Sequence, residues 1–152
     1  MAVLRDEPYG AFNFLVSLGG QQGDGSPGSV VGGFSEVTGL GMSVEYTEYR
    51  NGNDKSFAAI KLPGLRKAAD VTLKRGVIGS TDLFSWLKSV ADGVPDRRQV
   101  TITLLDEARS AVVTWRLRNA QPAAWIGPRL RAKGGCVAIE QLRLVCEGIE
   151  ME

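Results

Sequence analysis

Apolar and polar residues alternate along much of the chain, and this period of two predicts β-strands. In the first such segment, Phe12, Phe14, Val16 and Leu18 have the same parity. Equivalent patterns predict strands at residues 30–37, 43–50, 57–62, 70–75, 99–105, 111–118 and 137–146, with a shorter one within 122–131. Turns are expected at Asn51–Gly52–Asn53 and Pro63–Gly64, because these residues favour tight changes of direction.

One segment has a helical period instead. Residues 81–91 carry a single apolar stripe, formed by Leu83, Trp86, Leu87 and Val90. Ser80 or Thr81 can cap its start, and Gly93 suits its end. The chain is therefore expected to be a single, mainly β domain over residues 1–152. We expect an antiparallel β-sandwich or barrel-like fold in which one α-helix closes an open end.

The last long strand has an ambiguous pattern. Its apolar parity changes between Ile139 and Leu142. Either a bulge lies there or both faces of the strand are covered.

Composition excludes several kinds of chemistry. The 152 residues include 18 Lys and Arg, 17 Asp and Glu, and no His, so the formal net charge is +1. Without histidine there is no Ser-His-Asp triad and no His-ligated metal. The pattern G-x-G-x-x-G occurs at residues 23–28, but a β-rich segment follows it where a dinucleotide site needs a helix. We expect no enzyme activity, no cofactor and no metal.

The two cysteines, Cys136 and Cys146, do not form a C-x-x-C pair. On one extended strand they would be too far apart for a disulfide. Both are therefore expected to be small buried residues in a reducing compartment. No apolar stretch resembles a secretory signal or reaches the length of a membrane span. The sequence predicts synthesis in the cytoplasm and no stable membrane insertion.

Two features remain without a place in the predicted core. Arg129, Arg131 and Lys133 are alternate residues and would share one face of an extended segment. They are interpreted as a solvated face or an ion-pair strip between subunits. Trp125 lies beside Gly127–Pro128 and suits an interface.

Several short segments, taken in order, carry a resemblance to one family. They are residues 8–14, 33–40, 49–52, 61–64, 71–76, 98–106, 115–120 and 138–142, together with the helix that contains Trp86. This order resembles the inner-tube protein of contractile phage tails and of phage-tail-like extracellular contractile injection systems. It is also similar to type VI secretion inner-tube proteins.

The resemblance implies a tail-tube fold without an active site. Six copies would form a ring, and rings would stack into a hollow tube that sheath contraction drives through a target envelope. The implied partners are other copies of the chain, the sheath protein, baseplate or tube-initiator proteins, a tube-terminating cap, and cargo protein or DNA in the lumen. The implied location is a phage-tail-like particle assembled in the cytoplasm, and release by lysis remains open.

The resemblance also implies positions for the contacts. A projecting loop at about residues 49–64 would pack one ring on the next, and the N-terminal residues would join it. The candidate stacking residues are Asp6, Glu7, Tyr9, Arg50, Asn51, Gly52, Asn53, Asp54, Lys55, Lys61 and Pro63. Glu45 and Glu140 are candidates for facing the lumen.

Three alternatives stay open. The chain could be a tube initiator or terminal tube protein of the same apparatus. It could instead be a small β-barrel module that binds a ligand with its mouth and Trp125. An enzyme of the flavin-binding split-barrel type is the third alternative.

Overall fold

The computed structural model describes residues 4–19 and 33–152. These residues form nine strands and one helix. In chain order they are β1 (Phe14–Leu18), β2 (Glu36–Thr38), β3 (Met42–Tyr49), β4 (Ile60–Ala68), β5 (Val71–Gly76), α1 (Asp82–Ala91), β6 (Arg98–Leu105), β7 (Ala111–Ile126), β8 (Ile139–Val145) and β9 (Gly148–Met151). The G-x-G-x-x-G pattern and most of the glycine-rich segment around it lie outside the described residues.

The long strand β7 joins the two halves of the fold. Its first half pairs with β6 on one side and β9 on the other, and its second half pairs with β8. The change of partner occurs near Asn119, whose φ of 49° bends the strand. One half therefore has the order β1-β6-β7-β9 and the other β7-β8-β5-β2, with antiparallel pairing throughout. Strands that switch sheets through such a bend are typical of sandwich corners.

A single hydrophobic core fills the space between the halves. Its buried side chains come from both halves and from α1: Val16, Leu18, Val100, Ile102, Leu117, Ala120, Val71, Leu73, Leu142, Leu144, Leu83 and Trp86. The mainly β, antiparallel fold with one helix in the described residues is confirmed. The described strands do not close into a barrel, because β1 and β2 form opposite ends of the sheet order.

The helix forms where the apolar stripe predicted it. Leu83 and Trp86 are buried, and the Trp86 indole N–H donates to the carbonyl of Asp96 at 2.9 Å. Thr81 is the N-terminal cap residue of the helix, but its side chain forms no capping hydrogen bond. Gly93 follows the helix with a φ of 89°, a left-handed conformation that glycine adopts without strain.

Two predicted strand boundaries in the C-terminal part of the chain are wrong. Residues 122–126 are not a separate strand, because β7 continues to Ile126. Residues 137–146 contain the shorter β8, and a further strand, β9, follows it.

The expected turn at Pro63–Gly64 is also wrong. Both residues lie inside β4, where the pairing with β3 shifts register between Val44 and Tyr46. At this bulge the ladder is interrupted, so proline without an N–H is tolerated. A side chain on Gly64 would approach the Glu45 carbonyl oxygen at 3.1 Å, which favours glycine there.

The cysteines differ from each other. Both are free thiols, as expected, but Cys136 is exposed and Cys146 is partly buried. The expectation that both are buried is therefore wrong for Cys136. It lies in the irregular segment between β7 and β8.

Candidate assembly surface

The hairpin of β3 and β4 stands apart from the rest of the fold. It forms its own two-stranded sheet, and every residue of β3 is exposed. In β4, only Ala68 at the base is partly buried. An isolated two-stranded ribbon gains little from burial of its own side chains. The hairpin therefore has the form of a segment that another surface would cover.

Apolar side chains occur on both faces of this hairpin. Met42, Val44 and Tyr46 alternate along one face of β3. Tyr49 pairs with Ile60 on the other face, where Leu62 also lies. The exposed large apolar residues of the hairpin and its loop are Met42, Val44, Tyr46, Tyr49, Phe57, Ile60, Leu62 and Leu65. Such a concentration marks a contact surface rather than a solvated ribbon.

The loop between the two strands, residues 50–59, is organised by Arg50. Its guanidinium donates to the carbonyls of Ser56 at 3.0 Å and Asp54 at 2.9 Å. The Tyr49 hydroxyl donates to Asn51 at 2.8 Å. Arg50 thus gives a defined shape to the loop that carries the stacking candidates Asn51, Gly52, Asn53, Asp54 and Lys55. The candidates Lys61 and Pro63 lie in β4, with Lys61 opposite Glu48.

The N-terminal candidates lie elsewhere. Arg5 forms an ion pair with Glu107 at 3.0 Å and stacks over the Tyr9 ring at 3.8 Å. This holds the segment against the turn between β6 and β7, with Asp6 and Glu7 exposed. The other stacking candidates lie on a different element, the β3–β4 hairpin and its loop. Within one chain, the two groups of candidates are separate surfaces.

The two lumen candidates have opposite environments. Glu45 is exposed on β3 and lies 3.5 Å from Lys67. Glu140 is 5% exposed, so the expectation that it faces water is wrong. Glu140 occupies the inward parity of β8 with Leu142 and Leu144, and the register with β5 is continuous. The change of parity seen in the sequence is a buried carboxylate, not a bulge of β8.

The Glu140 carboxylate is held by two donors. The Arg75 Nε–H donates to its Oε1 at 2.6 Å, and the Trp125 indole N–H donates to its Oε2 at 3.1 Å. Trp125 also packs edge-on against Phe84 of α1, with ring centroids 5.3 Å apart. Trp125 is therefore accounted for within the chain by a hydrogen bond and a ring contact.

Arg75 also reaches the start of α1. Its Nη2 donates to Asp82 at 2.5 Å, and the Ser80 hydroxyl donates to the same carboxylate oxygen at 2.7 Å. Partial burial alone would raise the pKa of Asp82, but the hydrogen bonds from Arg75 and Ser80 lower that pKa below its ordinary value. One guanidinium thus ties β5, β8 and the helix together.

The comparisons with known proteins agree with this arrangement. Residues 10–150 match the family described as T4-like virus tail tube protein gp19. The chain belongs to this tail tube family. The predicted resemblance is confirmed, since the match covers nearly the whole chain. None of the curated proteins matches it.

Solved structures extend the likeness to the fold. A chain of the sheath–tube complex of an extracellular contractile injection system, PVC, in the extended state is 28% identical with a TM-score of 0.82, over 97% of this chain and 93% of the other. A chain of the anti-feeding prophage baseplate structure is 25% identical with a TM-score of 0.83, over 97% of both chains. A chain of the anti-feeding prophage tube-terminating cap structure is 26% identical with a TM-score of 0.80, over 100% and 95%. Similarity to Hcp proteins, at 13% identity or below, concerns the fold alone.

Residues that matter for this surface were absent from the sequence-based candidates. Phe57 is 97% exposed in the loop, and Leu65 is 80% exposed in β4. In the sequence, the signal that could have identified them was an apolar residue within an otherwise polar stretch. Within residues 4–19 and 33–152, no group of three or more His, Cys, Asp or Glu could hold a metal ion. The described helix is too short to cross a membrane.

Proposed function

We propose that the chain is the structural subunit of the inner tube of a contractile injection apparatus. Six copies close into a ring, and rings stack into a hollow tube. The observation that carries this proposal is the β3–β4 hairpin, which is exposed on both faces and apolar on both. A single chain leaves that surface in water, whereas a ring of copies can cover it.

The contacts between rings are assigned to two surfaces. The loop 50–59 with Lys61 and Pro63 projects from the hairpin, and the segment Asp6–Tyr9 contributes from the N-terminus. Glu45, which lies on an exposed strand beside Lys67, faces the lumen in this arrangement. The chain acts by assembly, without catalysis or a cofactor.

The proposed partners are suggested by the structures in which similar chains occur. Those structures are a sheath–tube complex, a six-fold symmetrised baseplate and a tube-terminating cap. We infer that this chain contacts a sheath protein along the tube, a baseplate at one end and a cap at the other. Cargo protein or DNA passes through the lumen, and the particle is assembled in the cytoplasm.

The test is negative-stain electron microscopy of the purified chain over a concentration series. We expect six-fold rings at low concentration and hollow tubes at high concentration. Rings that never stack would identify a tube initiator or terminal tube protein instead. Isolated chains at every concentration would contradict self-assembly, and a ligand-dependent rise in the unfolding temperature would then favour the ligand-binding module.

A further inference from the structure

The irregular segment that follows β7 is basic. Residues 127–138, here called the β7–β8 loop, contain Arg129, Arg131 and Lys133 and no acidic residue. All three side chains are exposed, and none forms an ion pair with another described residue. The segment does not belong to a strand, so the three residues do not share a strand face as predicted. The three positive charges nevertheless cluster on one short loop.

The same loop lines a groove. This groove has a volume of 490 Å³ between the end of β7 and the start of β8. Its apolar lining includes Ile126, Leu130 and Val137, and the last two are 84% and 73% exposed. A groove lined by exposed apolar side chains and by the basic side chains of Arg129 and Arg131 fits a segment that presents apolar side chains beside carboxylates.

Such a segment lies at the other end of β7. The Leu105 N–H donates to the Asn13 carbonyl at 2.9 Å, so the N-terminal segment sits beside the turn that leads into β7. Residues 4–12 carry Leu4, which is fully exposed, and Phe12, which is 73% exposed. Asp6 and Glu7 are exposed between them, and neither forms an ion pair with another described residue.

We propose that the N-terminal segment 4–12 of one copy docks into the β7–β8 loop groove of another copy. Asp6 and Glu7 face Arg129 and Arg131, and an apolar side chain of the segment enters the groove. This inference rests on the proposed self-assembly and names its counter-surface. The β7–β8 loop grooves of two copies cannot pair with each other, because both carry positive charge. A contact between opposite ends of β7 is head-to-tail, which is the kind that repeats into rings or stacks.

Two charge-reversed variants test the pairing. The first is Arg129→Glu with Arg131→Glu, and the second is Asp6→Arg with Glu7→Arg. Each variant alone places like charges at every contact, so we expect at least a tenfold rise in the concentration needed for assembly. In an equal mixture, every contact between the two unlike variants again pairs opposite charges, so assemblies in which the variants alternate should form at the wild-type concentration. Lys88→Glu, on the exposed side of α1, is the control and should behave as wild type.

Electron microscopy and sedimentation read out every outcome. Loss of assembly in each variant with recovery in the mixture supports the pairing, and recovery also shows that both variants fold. Variants that assemble as wild type would overturn the pairing while leaving the proposed tube function intact. Loss without recovery in the mixture would also overturn it. A wild-type chain that forms neither rings nor tubes would remove the tube function itself.

Discussion

Arg75 and Glu140 form a buried ion pair that joins β5 to β8, with Nε and Oε1 2.6 Å apart. The side chains are 1% and 6% exposed. Charges are rarely buried unless they are paired, because removal from water costs several kcal/mol per ion. Here the pair is supported from both sides, by Asp82 on the guanidinium and by Trp125 on the carboxylate. The position of α1 therefore depends on a polar contact within an apolar core.

Loss of one partner should be costly. Arg75→Met leaves Glu140 buried without a counter-charge, so we expect the free energy of unfolding to fall by about 3–5 kcal/mol. Arg75→Met with Glu140→Leu removes both charges and should recover most of that loss. Urea unfolding followed by tryptophan fluorescence measures each value.

The control for this prediction is an exposed ion pair. Arg116 lies 2.8 Å from Glu152, with side chains 41% and 57% exposed. Arg116→Met should cost less than about 1 kcal/mol. A similar fall in the free energy of unfolding for Arg75→Met and Arg116→Met would show that the buried ion pair stabilises the fold no more than the exposed one.

Acidification should lower the stability of the fold through protonation of Asp82. Partial burial opposes its charge, yet the bonds from Arg75 and Ser80 keep its pKa below the ordinary value of 3.8. A carboxylate with a lowered pKa in the folded state contributes stability above 3.8, and this contribution is lost as the pH falls through the folded-state pKa. We expect the urea midpoint of the wild type to fall on acidification through this range.

Asp82→Asn should lower stability at neutral pH and flatten the acid-induced fall. Glu107→Gln is the matched control, because Arg5 also lowers the pKa of Glu107 but the Glu107 side chain is 61% exposed, so its ion pair should contribute little to stability. An Asp82→Asn chain with the same acid slope as the wild type would exclude this role of Asp82.

Elements whose pattern is local could be predicted from the sequence. The α1 stripe follows from residues within one segment, and β5 and β6 follow from their own alternation. The environment of Glu140 could not be predicted in this way. Its partner Arg75 lies 65 residues earlier in the chain, so the pattern within the strand alone predicts that this polar side chain faces water.

The β3–β4 hairpin is a second feature that the sequence alone could not predict in full. Pro63 and Gly64 normally mark turns, and the bulge that accommodates them exists because β3 lies opposite. The bend of β7 at Asn119 likewise depends on a change of partner strands. The turn at Asn51–Gly52–Asn53 could be predicted from the sequence, whereas exposure of Leu65 required the pairing.

Shortening the loop should separate ring formation from stacking. Deletion of residues 51–55 removes the projecting tip, while the ladder from Met42↔Ala68 to Tyr49↔Ile60 remains. We expect rings with an unchanged unfolding midpoint and at least a tenfold rise in the concentration needed for tubes. Tubes of normal length and stability would contradict the assignment of this loop to stacking.

The apolar faces of the hairpin should matter for assembly rather than for folding. Tyr46 and Leu65 are 61% and 80% exposed, so Tyr46→Ser with Leu65→Ser should change the free energy of unfolding by no more than about 0.5 kcal/mol. The same variant should reduce sedimenting assemblies, because those side chains lose their contact with another copy. Val94→Ser, at a site 59% exposed beyond α1, is the control. Equal assembly of the hairpin variant and the control would show that the hairpin faces are not covered.

The two thiols should react at different rates in the unassembled chain. Cys136 is exposed, whereas partial burial raises the pKa of the Cys146 thiol above its ordinary value and lowers its thiolate fraction. We expect a thiol-specific reagent to label Cys136 first, as measured by mass spectrometry of Cys136→Ser and Cys146→Ser chains. Faster labelling of Cys146 would contradict its burial beside β9. Because Cys136 lines the β7–β8 loop groove, assembly should slow its labelling and leave the rate at Cys146 nearly unchanged.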